Sequence, residues 1–479
     1  MKKKIIYIFV SLLFLGVEGC TKLDDFGDTN VNPAATSEPT LSALMANVQS
    51  GMGGYAASVR PGLYGQYFAE TQYTDASLYS LPQIEFSGEY AGPLQDLQVI
   101  IEKKESNNMS QVAKILQQYI FWTITDRWGD VPYSEALLGV KNANPKYDRQ
   151  EDIYKGMIAA LTKAATSFDA SAIKGDLIYG GDAASWKRVA NSLRMLMSLQ
   201  LSKKFPAAGG YAATEFAKAL ADPGGYIQSN SQNMVLNFPG GNYKSSWFAL
   251  YNGRKDYGES KPMTDLMASL SDKRQNAFGG ATQDQGVSNA NETSSVGVPF
   301  GLVRAKVEAF TSANTNWARI LRGDYRKENG SVMVISAGQV ALARAEAADY
   351  KWTSESLGTV YATGIALSHE QWGTSLPGDY LSQAAVALEA AGSAGNLKKI
   401  AIQRYIAHYP DGMQAWNIWR KTGFPELTPA PDATNSSKQI PRRYTYGSTE
   451  FTSNKANAEA AVSAISGGDT QDSKVWWNN

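Results

Sequence analysis

Apolar residues along most of this chain recur at spacings of three and four. From Val112 they fall at Ile115, Leu116, Tyr119 and Ile120, which predicts a helix over 110–127. Its end is predicted near Arg127-Trp128-Gly129, where Gly129 can take a left-handed cap and Pro132 forbids simple continuation. A second helix is marked by Trp186, Val189, Ala190, Leu193 and Met197, opening after Asp182 or Ser185. A third opens on a capping-box sequence, Ser336-Ala337-Gly338-Gln339. It continues through Val340, Ala343, Ala347 and Tyr350 on an alanine-rich face that admits close neighbours. More helices are predicted at about 358–373, 378–391, 395–408 and 411–420. They pair as 93–106 with 110–127, 150–169 with 183–205, 336–351 with 358–373, and 378–391 with 395–408. This is the organisation of a helical-hairpin array, each pair burying its face on the next, although no strict sequence period accompanies it.

Stretches rich in Gly, Ser, Asn and Tyr separate the pairs, chiefly 60–92 and 222–320. Ordered loops of such length are uncommon unless they carry function. Beyond residue 421 a helical pattern returns only at about 454–466. The closing Trp476-Trp477 predicts a tail docked onto the body rather than a frayed end. The expected architecture is one large, mostly α domain with long irregular segments packed on a helix-pair scaffold.

The single membrane-grade run lies at the start. Met1 to Lys4 is positive, and Ile5 to Val17 is apolar. That run is shorter than the roughly 20 residues a spanning helix needs, so 1–19 reads as a signal peptide. Cys20 follows at once and is the chain's one cysteine. In an exported protein it has no partner for an internal disulfide. The junction is similar to a bacterial lipobox, with Glu18 where a small uncharged residue is usual. The expectation is lipid on Cys20, a polar tether over 20–33, and a folded body over 34–479. The plainer alternative is an ordinary cleaved signal with an incidental cysteine. Several acyl chains, at about 0.8 kcal/mol per buried CH₂, would anchor the protein firmly.

Lys+Arg and Asp+Glu both number 45, which argues against nucleic acid and against a charge-driven membrane patch. The 25 Tyr and 11 Trp are mostly core packing; the remainder supply flat amphipathic rings for a binding surface. The two histidines, His369 and His408, have no metal-ligand spacing and read as packing or surface residues. No GxSxG, HExxH or P-loop occurs. Carboxylates in DRWGD (126–130) and DGM (411–413) sit near helix ends and read as caps or ion pairs. A glycosidase would need two carboxylates about 5–9.5 Å apart, and nothing in the sequence points to such a pair. No cofactor is expected. Asp- and Asn-rich loops leave room for a structural calcium ion, but no EF-hand-type loop occurs.

Seven collinear blocks resemble one family, the SusD/RagB-like nutrient-binding outer-membrane lipoproteins. They are CTKLDDFGDTNVNP (20–33), TDRWGDVPYSEA (125–136), WKRVANSLRMLMSL (186–199), SLSDKRQ (269–275), AWNIWRKTGFPEL (415–427), IPRRYTYGSTEFTSNKAN (440–457) and VWW (475–477). Departures from the family pattern are Lys273 for a proline, Lys421 and Phe424 for Arg and Tyr, and Gly447 for a proline. The chain looks most like the shorter branch.

The resemblance implies tetratricopeptide-like helix pairs and no catalysis. It also implies a surface-exposed lipoprotein that captures an oligomeric nutrient, a glycan or a peptide, and delivers it to a TonB-dependent SusC-like barrel. Family members bind ligand on loops after the first helix and after the second or third pair, here about 60–92 and 240–320. Candidate contacts there are Tyr73, Tyr79, Trp247, Tyr251 and Trp317, with Asn252 and Arg254 as polar partners. Trp416, Trp419 and Arg420 are assigned to structure. Arg442 and Arg443 are either structural or barrel-facing. Two other readings stand beside this one: a surface glycoside hydrolase, and a lid that touches only its barrel.

Overall fold

The computed structural model describes residues 40–282 and 290–479. Cys20, the signal peptide and the tether lie outside the described residues. Residues Leu41–Asn479 form one compact unit.

The scaffold is built from helix pairs. After α1 (Leu41–Ala56), α2 (Gln95–Lys103) packs on α3 (Asn107–Trp128), and α4 (Gln150–Thr166) on α5 (Ala183–Gln200), with α6 (Tyr211–Leu220) against α5. Later, α9 (Ala337–Asp349) packs on α10 (Leu357–Gln371), and α11 (Asn396–His408) on α12 (Gly412–Thr422). Between them lie α7 (Lys261–Ser269) and α8 (Arg304–Ala313), and α13 (Lys455–Ala464) follows near the end.

Local chemistry sets the boundaries. The Asp182 carboxylate accepts from the backbone of Ala184 and Ser185 and starts α5. Ser336 and Gln339 form the reciprocal capping box of α9. Gly129 ends α3 at φ +88°, its N–H returning to Thr125. Asp411 caps α12 through Met413 and Gln414. The close crossing of α9 and α10 needs Gly364, where a Cβ would sit 2.7 Å from the Leu342 side chain.

One expected helix does not form. In 378–391 only a single turn, Tyr380–Ser382, is helical, and α11 pairs with α12 instead. The carbonyls a helix would use internally go to side chains. Val386 accepts from Tyr361, Ala387 from Lys399, and Ala390 from Asn396. Tertiary partners outbid the local pattern there.

The long irregular segments are pinned by short antiparallel pairs. β1 (Phe68–Glu70) pairs with β3 (Tyr257–Glu259), β2 (Met234–Leu236) with β6 (Val332–Ile335), and β4 (Gly279–Gly280) with β5 (Arg319–Ile320).

The sequence blocks resolve into a buried polar framework. Asp126 accepts from Tyr154, Asn417 and the indole of Trp477 at 2.6, 2.6 and 2.9 Å. Arg420 lies over Trp416 at 3.7 Å and Trp477 at 4.8 Å. Trp477 is fully buried, so the tail is docked as expected. Glu346 on α9 is held by Arg404 on α11 and Lys421 on α12, tying three helices at one buried ionic node. Asp272 takes a bidentate contact from Arg274, with Tyr380 and Gln403 completing the cluster. Arg443 is buried, bonded to the Trp128 carbonyl and paired with Asp469, so it is structural; Arg442 stacks on Trp419 at 4.1 Å. Both histidines are interior. Burial pushes His369 down to about 4 and His408 well below its usual range, so neither carries charge near neutrality.

Candidate ligand-binding surface

The two loop regions singled out by the sequence meet in space. The β1–β3 register sets Phe68 opposite Glu259 and Glu70 opposite Tyr257. Beyond it the Thr71 amide donates to Asp256 at 2.8 Å, and the Thr71 hydroxyl to the Lys255 carbonyl. Glu70 turns the chain by accepting from both the amide and hydroxyl of Ser77, each at 2.8 Å. That turn presents Tyr73, whose ring is 57% exposed. Gly258 lets Val298 and Trp317 close onto the strand; a Cβ there would lie 2.5 Å from Val298 and 3.0 Å from the indole.

Helix α8 supplies the facing wall. The Arg304 guanidinium lies 5.6 Å from the Tyr73 ring centre and is paired with Glu308 at 2.8 Å. Glu308 in turn borders a polar pocket of about 200 Å³ with Trp317, Lys255, Gln72 and Thr311 in its lining. An exposed ring, a guanidinium and a Trp-containing polar pocket are thus connected along one surface. Aromatic faces cover the C–H faces of sugar rings, and the charged and amide groups serve hydroxyls.

The expected contacts separate into groups. Tyr73, Asn252 and Arg254 stand at the surface, with Arg254 paired to Asp256 at 2.6 Å. Trp317 is 3% exposed, and Arg319 lies over its ring at 3.8 Å, so only part of it borders the pocket. Tyr79 and Tyr251 are corrections: both are interior. The Tyr79 hydroxyl accepts from the Ala430 amide at 3.0 Å. The Tyr251 hydroxyl donates to Tyr257 and accepts from Ile320, each at 2.8 Å, with Arg326 over the ring. The Tyr251 hydroxyl closes backbone groups at the strand residues Tyr257 and Ile320, and the Tyr79 hydroxyl closes a loop amide at Ala430, which is why these rings turn inward. Trp247 is also buried and borders a different cavity. Arg304, Glu308 and Lys255 were not anticipated. The signal for Arg304 and Glu308 was their i,i+4 spacing, which marks a helix face inside a stretch otherwise read as loop; Lys255 carried none.

A larger groove, about 680 Å³, lies elsewhere. It is apolar and proline-rich, with Pro262, Pro299, Phe300, Pro425 and Pro429 among its walls. Its border charges pair with each other, Lys261 with Asp265 and Lys398 with Glu426. Proline offers no N–H, so this groove is poor in donors. Among the described residues no group of three or more His, Cys, Asp or Glu is arranged to hold a metal ion, and no helix is long and apolar enough to cross a membrane.

Fold and surface define a helix-pair scaffold on which long loops bring an exposed ring, a guanidinium and a polar pocket together. The chain belongs to the SusD-like family: the model described as starch-binding, associating with the outer membrane, matches residues 33–447. It is similar in structure to a SusD homolog from Bacteroides uniformis ATCC 8492, with TM-score 0.80 and 23% identity over 92% of this chain and 100% of that one. It is also similar to a chitin-binding SusD homolog from Flavobacterium johnsoniae, with TM-score 0.77 and 22% identity over 92% and 98%. A third likeness is to a SusD homolog from Bacteroides thetaiotaomicron VPI-5482, with TM-score 0.75 and 22% identity over 92% and 99%. No curated protein sequence matches the chain.

Proposed function

We propose that this protein captures an oligosaccharide on the Tyr73–Arg304–Trp317 surface and passes it, uncut, to a TonB-dependent barrel of the outer membrane. The observation that carries the reading is the exposed Tyr73 ring set beside a guanidinium and a Trp-containing polar pocket. The chitin-binding relative supports a glycan over a peptide as cargo.

The surrounding carboxylates favour binding over hydrolysis. Asp256, Glu308 and Asp432 are held by Arg254, Arg304 and Lys306 respectively. A glycosidase needs one carboxyl kept protonated beside another, whereas each of these is tied to a basic side chain. Among the acids that burial raises, Glu259, Asp411 and Asp126 are interior, and Glu70, beneath the Tyr73 turn, is buried with one carboxylate oxygen engaged by Ser77.

Tyr73→Ala is expected to weaken oligosaccharide binding about fivefold to tenfold, the loss of one stacking contact. Stability should change by less than about 0.5 kcal/mol because the ring is exposed. Calorimetry with maltoheptaose and chitohexaose checks both claims in parallel with thermal unfolding. Unchanged affinity would remove Tyr73 from the site.

The lipid anchor at Cys20 belongs to the same reading, with the body facing the exterior. Cys20→Ser should move the protein from the membrane fraction to the soluble fraction. Retention in the membrane would contradict lipidation as its anchor.

A further inference from the structure

A second cavity, of about 350 Å³, lies between the chain around Trp247, the loop after β5 and the end of α10. It shares no lining residue with the Tyr73 surface pocket. Its size falls within the roughly 300–1,000 Å³ of small-molecule sites. Three aromatic residues, Trp247, Tyr325 and Trp372, line it. Trp372 is fixed in place: Tyr325 and Phe278 meet it edge-on at 5.2 and 5.4 Å, and the Tyr325 hydroxyl donates to the Trp372 carbonyl at 2.9 Å.

Two polar atoms on consecutive residues of this wall lack partners. The indole Nε1 of Trp372 and the amide Oε1 of Gln371 are both buried and have no hydrogen bond. Trp372 is 7% exposed, so solvent reaches little of it. A buried donor left unmade costs about 1–3 kcal/mol, as does a buried acceptor. An unpaired donor and an unpaired acceptor in one wall call for a ligand that both accepts and donates. Vicinal hydroxyls do both, and a pyranose carries them around a ring whose C–H face suits an aromatic wall. Lys327 and Asn329, exposed at the border, can reach further hydroxyls.

We propose that the cavity between Trp247, Tyr325 and Trp372 is a second saccharide site, taking one pyranose ring or the end of a short chain. It is independent of the Tyr73 surface and does not rest on the reading given to it.

The test uses protein with ¹⁵N-labelled tryptophan indoles. The Trp372 resonance is identified by its loss in Trp372→Phe. D-glucose, D-galactose, N-acetyl-D-glucosamine, maltose and cellobiose are titrated to about 20 mM, which covers the weak affinity of a single ring. At least one sugar should shift this resonance saturably. Gln371→Leu should weaken that binding about tenfold and Asn329→Ala, on an exposed residue, about threefold. Tyr73→Ala should leave it within about twofold. The proposal fails if no sugar moves the Trp372 resonance, or if Tyr73→Ala abolishes the shift. In the second case the Tyr73 surface stands alone as the saccharide site. Conversely, a shift at Trp372 with no calorimetric effect of Tyr73→Ala would keep this site and overturn the other.

Discussion

Trp477→Ala should destabilise the protein by about 4 kcal/mol, although the residue stands two places from the chain end. The ring is fully buried, lies against Arg420, and its N–H donates to Asp126. The Trp477 amide donates to Gln150 at 3.2 Å, and Lys203 donates to the Asn478 carbonyl at 3.0 Å. The tail therefore closes a junction between α3, α4 and α12. Truncation leaves a cavity and takes one of three donors from a buried carboxyl. Trp477→Phe separates the two losses: it keeps most of the volume and should cost about 1–2 kcal/mol for the missing hydrogen bond. Urea unfolding measures both. A cost under about 0.5 kcal/mol for the alanine variant would mean that the tail adds nothing to the body.

The second large effect is a dependence on pH centred on Glu259. This carboxyl is fully buried on β3, receives one hydrogen bond from Gln275 at 2.7 Å, and has its other oxygen unpartnered. Burial pushes it up from 4.5 to about 8. The folded protein therefore holds Glu259 protonated where the unfolded chain has released the proton. Its favourable contribution is complete below about pH 4.5 and is lost as pH rises through about 8. At about 1.4 kcal/mol per unit the loss is on the order of 3–5 kcal/mol. Asp411, raised to about 7, and Asp126, raised to about 6, add to the same downward slope. Glu259→Gln removes the largest part of it. The variant should match the parent near pH 5 and exceed it by a few kcal/mol near pH 8.5. Parallel pH–stability curves for the two proteins would show that Glu259 ionises without penalty.

What the sequence could show of this follows from where the information lies. Caps are local, and Asp182, Ser336–Gln339 and Asp411 act where their spacing put them. The family blocks between 125 and 477 include side chains that meet in the interior, as Asp126, Asn417 and Trp477 do. Asp272 and Arg274 form the buried pair while Lys273 between them is exposed, so a lysine there costs the cluster nothing. Gly447 has a reason of its own: a side chain at that position would occupy the space of the Glu85 carboxylate, which accepts from Ser448 and Thr449.

Other features depend on contacts between distant segments. The failure of 378–391 to form a helix rests on Tyr361, Asn396 and Lys399. Helices α7 and α8 are short and bury few residues, with Val307 alone buried on α8, so each offers few apolar anchors to mark it within a stretch read as loop. Composition gave the loops their aromatic character but could not say which rings face outward. Tyr73 and Tyr79 lie six residues apart on one loop and end on opposite sides of the surface.

The central claim is that this surface holds an oligosaccharide without cleaving it. The most direct measurement titrates the protein lacking residues 1–33 with chitohexaose and maltoheptaose by calorimetry, then recovers the sugar after a long incubation and sizes it by chromatography. Saturable binding that weakens in Tyr73→Ala, with the oligosaccharide returned at full length, is the expected result. Shortened products, or no binding of either sugar, would contradict it.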